Sequence, residues 1–234
     1  MPSIDVKVMS SGGLKAVLGA LAAGFERASR HRLALVFAPP AAVKRRVEDG
    51  EAADVVVLAA NLIDDLIRQG RLAGETRIAV ASSGMGVAVR KGAPKPDIGT
   101  TEAFRRALLG AQSIVFSDPA GGGASGVHFR KVIERLGIAD AVMAKARLNS
   151  GSFNAELVAR GEAELAIQQV SEILPVEGAE LVGPLPPELQ LTTRFAAAIG
   201  ATAPEPAAAR ELLAFLASPE ATSVIKANGM EPAS

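Results

Sequence analysis

The feature that most constrains this chain is the regular exchange of short β-branched runs with stretches of helical period. Ile4 to Met9 reads as a first strand, ending in Ser10-Ser11-Gly12-Gly13. Leu14, Val17, Leu18, Leu21 and Phe25 then recur at helical spacing, which predicts an amphipathic helix running to Arg30. Leu33 to Phe37 is a second strand, closed by Ala38-Pro39-Pro40. A short helix with Val43 and Val47 inward, a buried strand from Asp54 to Leu58 and a helix from Leu62 to Gln69 follow. Strand and helix in alternation predict parallel α/β architecture, because parallel strands need a crossover that a helix supplies.

The exchange breaks between Arg77 and Arg90, where two apolar alternations flank Ser82-Ser83-Gly84 and lead to Lys91-Gly92-Ala93-Pro94-Lys95-Pro96. This predicts a long connection out of a first lobe. The pattern then resumes with a helix from Thr101 to Leu109, a strand from Ser113 to Phe116 and a glycine-rich loop from Gly121 to Gly126. Next come a helix burying Phe129, Val132, Ile133 and Leu136, a strand from Lys145 to Leu148, a helix from Phe153 to Arg160 and a strand from Leu165 to Gln168. Leu191 to Ile199 is apolar enough to be a strand returning to the first lobe, with helices from Glu205 to Leu216 and Pro219 to Asn228 after it. Ser218-Pro219-Glu220 announces the last helix with a cap, a proline at the first helical position and an acid in the first turn. The expectation is an α/β protein of two Rossmann-like lobes joined by a two-strand hinge. Lobe 1 takes 1–83 and 195–234, lobe 2 takes 84–194, and a ligand cleft lies between them. A length of 234 residues suits such a bilobal unit.

Charge and composition narrow the function. The formal net charge is zero and no long basic run exists, which argues against nucleic acid, whose binding leans on clustered Lys and Arg. Lys44-Arg45-Arg46 reads as the solvated face of a helix. With no Cys, disulfides and thiolate metal sites are excluded. His31 and His128 stand far apart, so neither a metal site nor a cofactor is expected. Trp and Tyr are absent, which removes the rings that usually stack on sugars. Met1-Pro2-Ser3-Ile4-Asp5 shows no basic start followed by an apolar run. A periplasmic location goes with a leader already removed, and a cytoplasmic one with this as the native start. A monomer is expected.

Three loops follow strands and precede helices: Ser10 to Gly13, Ala38 to Ala41 and Gly121 to Gly126. In parallel sheets ligands sit beyond the carboxyl ends of the strands, where helix N-termini aim unpaired N–H groups and a positive partial charge. The candidate ligand contacts are therefore Ser10, Ser11, Gly12 and Gly13, then Ala41, then Gly123, Ala124, Ser125 and Gly126. Ser10 to Gly13 also read as a cap and tight turn, and both roles can hold at once. Gly121, Gly123 and Gly126 match the dinucleotide fingerprint, but Ser117-Asp118-Pro119-Ala120 separates them from the strand and no acid is placed for a ribose. A nicotinamide cofactor is rejected. Gln168 and Gln169 end an apolar strand, and an amide can donate to a carboxylate without adding charge. His128, near the first turn after the glycine loop, is a neutral imidazole able to give or take a proton, or else a capping residue. His31, at a helix end on a basic stretch, is expected at the surface, and Arg194 at the surface or in a structural ion pair.

The ordered set Val8-Met9-Ser10-Ser11-Gly12-Gly13-Leu14, Gly50-Glu51-Ala52-Ala53-Asp54-Val55, Ser117-Asp118-Pro119, Arg135-Leu136-Gly137, Gly161 to Ile167 and Phe215-Leu216-Ala217-Ser218-Pro219-Glu220-Ala221 resembles the type II periplasmic solute-binding proteins. Within them it is similar to the molybdate-binding proteins of ABC transporters, over nearly the whole chain. The resemblance implies a small anionic ligand and a membrane transporter as partner. In those molybdate binders, hydroxyl groups after the first and second strands hold the oxyanion. The matching positions here are Gly13 and Pro40, and Gln169 replaces an expected tyrosine. The stretches Gly121 to Phe129, Ile167 to Ile173 and Gly183 to Gln190 look like a distinct branch. They are also similar to bacterial aconitate isomerase, an enzyme built on this fold. That likeness implies an organic carboxylate as ligand, and as a rival function an isomerase with His128 as its base.

Overall fold

The computed structural model describes residues 3–150 and 153–233 of the chain, so Met1 and Pro2 of the start read above lie outside it. β1 (Asp5–Ser10) turns Val6 and Val8 to one side of the sheet and Met9 to the other. A 3₁₀ turn at Gly12–Leu14 leads into α1 (Lys15–Ser29), which buries Val17, Leu18, Leu21 and Phe25 at the predicted spacing. β2 (Arg32–Phe37), α2 (Pro40–Glu48), β3 (Val55–Ala59) and α3 (Ala60–Arg68) follow. β1 pairs in parallel with both β2 and β3, as βαβ crossovers require.

Ile78–Arg90 forms one continuous strand of 13 residues, β4, where a long connection was predicted. Gly84 and Gly86 interrupt the apolar pattern without ending the strand. At Gly86 the reason is proximity: an added Cβ would lie 2.9 Å from the Leu181 side chain and 3.1 Å from the Gly183 carbonyl oxygen. Gly86 allows close neighbours rather than a turn.

Onward run α4 (Thr101–Gly110), β5 (Ile114–Ser117), α5 (Ala124–Arg135), α6 (Ala139–Met143), β6 (Ala146–Asn149), α7 (Asn154–Ala159), β7 (Leu165–Gln169), α8 (Val170–Ile173) and β8 (Ala179–Pro184). β9 (Thr192–Ile199), α9 (Pro206–Leu216), α10 (Pro219–Ala227) and the short β10 (Glu231–Pro232) complete the chain. Ser218 caps α10 as its sequence predicts, its side chain accepting the Ala221 N–H at 3.2 Å.

Two compact units result: Met1–Ser82 with Thr193–Ser234, and Ser83–Thr192. In the first, strand order is β2-β1-β3-β9-β4, with β9 antiparallel to β3. Val55 and Val57 face α1, α9 and α10, whereas Val56 and Leu58 face α2 and α3, so β3 is buried on both sides and reads as an unbroken apolar run. Phe25 meets Phe215 in this core at a centroid distance of 5.7 Å. In the second unit the order is β4-β7-β5-β6, with β8 antiparallel on β4. β5 is parallel to β6 and β7, and Phe116 and Phe129 meet edge to face at 4.9 Å, fastening α5 to β5.

His31, expected at the surface, is buried. Arg30 ends α1 in the left-handed conformation (φ 65) and turns the chain straight into β2. The His31 ring is thereby brought beside α9, with Nε2 3.7 Å from a Glu211 carboxylate oxygen.

Candidate functional site

In the first unit the candidate residues gather at the carboxyl ends of β1 and β2. Ser10 is fully buried, and its hydroxyl donates to the Val57 carbonyl at 2.8 Å, locking β1 to β3. Its own carbonyl accepts the Ala38 N–H at 3.2 Å, so the loops after β1 and β2 are tied together. Ser11 is 4% exposed and precedes the 3₁₀ turn without a side-chain cap bond, and Gly13 is buried within that turn. The helix predicted to begin at Leu14 therefore begins one residue later. Pro40 takes the first position of α2, where a missing N–H costs nothing, and exposed Ala41 supplies the first N–H of that helix.

In the second unit the glycine loop is built stepwise. Asp118 accepts the Ala120 N–H at 2.9 Å and caps a 3₁₀ turn at Pro119–Gly121. Gly122 then takes φ 70, a left-handed conformation that favours glycine, and Gly123 is the N-cap of α5. Gly123 has open space where a Cβ would stand. Gly126 has none: a Cβ there would lie 2.2 Å from the Ser117 carbonyl oxygen. The third glycine of the motif is thus what lets α5 lie against the end of β5, with Ser125 buried beside it and Ala124 opening the helix.

His128 stands one turn further along α5, half-buried. Its Nε2 is 2.8 Å from the Leu189 carbonyl oxygen. Since a carbonyl only accepts, Nε2 carries the proton, and in the neutral ring the lone pair belongs to Nδ1. Arg135, at the far end of the same helix, donates to the Glu188 carbonyl at 3.1 Å. Gln190 joins them: its amide accepts the Met85 N–H at 2.7 Å and donates to the Met85 carbonyl at 3.0 Å, as a strand neighbour would. The segment leading to β9 is held against α5 and β4 by these side chains.

Gln168 and Gln169 separate into two roles. Gln168 is 1% exposed, with Oε1 accepting the Asn154 N–H at 2.7 Å and Nε2 donating to the Glu172 carbonyl at 2.9 Å, so both ends of its amide are engaged within the unit. Gln169 is the N-cap of α8.

Sequence reasoning missed the residue that organises this end of the sheet. Asn154, 1% exposed, donates from Nδ2 to the Ser117 hydroxyl and the Ile167 carbonyl, each at 3.2 Å, and accepts from Asn149 Nδ2 at 3.0 Å. One side chain therefore joins the ends of β5, β6 and β7. Glu172 was missed as well. It is the third residue of α8, and its carboxyl accepts the N–H of the N-cap residue Gln169, in the manner of a capping box. Desolvation raises this carboxyl to about 7, the Gln169 N–H opposing the shift in part. The available signal was an acid three residues past the strand end, a spacing that marks a helix start.

Comparison with known proteins agrees with this architecture. The family described as bacterial extracellular solute-binding protein matches residues 6–231. The aconitate isomerase of a Pseudomonas species is 36% identical over 237 residues, covering 99% of this chain and 89% of that protein. Among solved structures, the periplasmic molybdate-binding protein of Azotobacter vinelandii is similar with a TM-score of 0.81 at 21% identity, covering 96% of this chain and 98% of that one. The sulfate-binding protein SubI of Mycobacterium tuberculosis is similar with a TM-score of 0.76 at 17% identity, covering 98% and 87%. The two structural likenesses are likenesses of fold.

Proposed function

The chain belongs to the family of bacterial extracellular solute-binding proteins, and on that premise we propose that it binds a small organic carboxylate for an ABC-type uptake system. The first unit offers as donors the N–H groups that open α1 and α2, around Ser11 to Gly13 and Ala41, and the second offers those that open α5, around Gly123 to Ser125, with the Gln169 amide. The observation that carries the carboxylate reading is the state of the hydroxyl positions. Gly13 and Pro40 have no hydroxyl, and the Ser10 hydroxyl is given to Val57. An oxyanion held by hydroxyl groups lacks those donors here. Backbone and side-chain amides suit a planar carboxylate, whose oxygens accept only. The aconitate named in the 36% identical relative supports the same ligand class.

Titration calorimetry with cis- and trans-aconitate, simpler dicarboxylates, molybdate and sulfate tests this. We expect a carboxylate to bind more tightly than either oxyanion. Submicromolar molybdate affinity, more than ~8.2 kcal/mol of binding, with no carboxylate affinity would refute it.

The same relative favours a second reading, an isomerase that moves a proton along an unsaturated di- or tricarboxylate. His128 is the base in this reading, and with Nε2 donating to Leu189 the proton is taken at Nδ1. His128→Gln keeps a donor for Leu189 but removes the base, which typically contributes about 10²–10⁴ in rate. Deuterium incorporation into aconitate by the wild type, lost in this variant, would establish the enzyme. No incorporation by the wild type leaves the receptor.

A further inference from the structure

The first unit holds a pocket of about 80 Å³ that neither reading uses. It opens where Gly50 and Gly70 end α2 and α3 and where Gly200 to Thr202 follow β9. β9 is antiparallel to β3, and β1 and β2 are parallel to it, so the pocket lies at the opposite end of the sheet from Ser10 and Ala41. Its apolar lining includes Val47, Val56 and Leu72, each at most 5% exposed. Gly50 and Gly70 have open space where a Cβ would stand, which leaves the mouth clear. The wall is tied together by backbone: the Gly200 N–H donates to the Asp54 carbonyl at 3.1 Å and the Ala201 N–H to the Arg71 carbonyl at 3.0 Å.

The charges around this pocket do not cancel. Glu51 is the acid that lines it, and both of its oxygens are taken: Oε1 by Arg46 Nη2 at 2.7 Å and Lys7 Nζ at 2.9 Å, Oε2 by Arg46 Nε at 2.6 Å. Asp54, at the start of β3, is buried and accepts the Lys7 and Glu205 N–H groups at 2.8 and 2.7 Å. Arg71 and Thr202 also line the pocket and are exposed. Among the described residues neither side chain has an ion pair or a hydrogen bond. The long stem of Arg71 lets its head fold over an occupant. We propose that this pocket is a second ligand site, separate from the one above, which takes a short-chain monocarboxylate with its alkyl tail inward and its carboxylate at Arg71 and the Thr202 hydroxyl. A cavity of about 150 Å³ takes a benzene ring, so one of about 80 Å³ suits a tail of about three carbons. The unpaired guanidinium selects an anionic head, and its fork matches a planar carboxylate.

The test is an NMR titration of the methyl-labelled full chain with acetate, propionate, butyrate and n-butylamine. Butyrate is expected to shift the methyls of Val47, Val56 and Leu72 saturably. Affinity should tighten about fourfold per methylene from acetate to butyrate, the fold-change that ~0.8 kcal/mol gives. The amine, of similar length and opposite charge, should not bind. Arg71→Gln is expected to weaken butyrate about fivefold, and Arg71→Lys to restore most of that loss. Arg71 is exposed, so both variants keep the fold. Butyrate that shifts Leu14, in the turn after β1, and leaves Val56 unmoved would place the acid in the site proposed above and overturn this one. The absence of any saturable shift, n-butylamine binding as tightly as butyrate, or unchanged affinity in Arg71→Gln would each overturn it as well.

Discussion

Alanine at position 126 tests the construction of the glycine loop most directly. In a helix, alanine is ordinarily better than glycine by about 1 kcal/mol. Here the new Cβ would stand 2.2 Å from the Ser117 carbonyl oxygen and 2.9 Å from its carbon. Ordinary carbon contacts need about 3.5 Å, so α5 must retreat from β5 by roughly 1 Å. Overpacking against backbone, which has no rotamer to escape into, costs about 1–3 kcal/mol. Against backbone the clash falls in the upper part of that range and outweighs the propensity gain, so a net loss of up to about 2 kcal/mol is expected. Gly123→Ala is the control. That residue has φ −70 and ψ 131, accessible to any side chain, with nothing near its Cβ position. Urea denaturation should show a lower midpoint at unchanged slope for Gly126→Ala and a near wild-type curve for Gly123→Ala. If the opening of α5 also supplies ligand donors, carboxylate affinity should fall about tenfold in Gly126→Ala alone. A Gly126→Ala protein as stable as the wild type would refute the reasoning.

Three other outcomes are expected. Asn154→Ala leaves the Ser117 hydroxyl and Ile167 carbonyl without their buried donor, and should cost about 1–3 kcal/mol in denaturant. Arg30→Gly relieves a left-handed residue that is not glycine and should raise stability by up to about 1 kcal/mol, read as a higher thermal midpoint. Glu51 is held down at about 2, first by its hydrogen bonds from Arg46 and then by Lys7. A lowered carboxyl contributes stability above its ordinary 4.5 and loses it as pH falls toward 2, so wild-type stability should drop through that window and Glu51→Gln should show a shallower drop.

What the residues determined alone was whatever depends on near neighbours. The buried stripe of α1, the two-sided burial of β3 and the Ser218 cap of α10 are written in spacings of a few positions, because helix and strand periods are local geometry. The position of the glycine loop between a strand and a periodic helix was legible for the same reason. β8 was not: Ala179–Pro184 is half-buried along most of its length and shows no clean alternation, so only its pairing with β4 makes it a strand. β4 itself looked like a connection because Gly86 answers to Leu181 and Gly183, distant in the chain. The roles within the site followed tertiary structure throughout. Gly126 is small because Ser117 is close, Gln168 is spent on Asn154 and Glu172, and His31 is buried by a turn at Arg30. The raised carboxyl of Glu172 arises because folding removes water from it, the Gln169 N–H opposing the shift only in part. A sequence states which groups are present, while desolvation and hydrogen-bond partners belong to the folded arrangement that brings remote segments together.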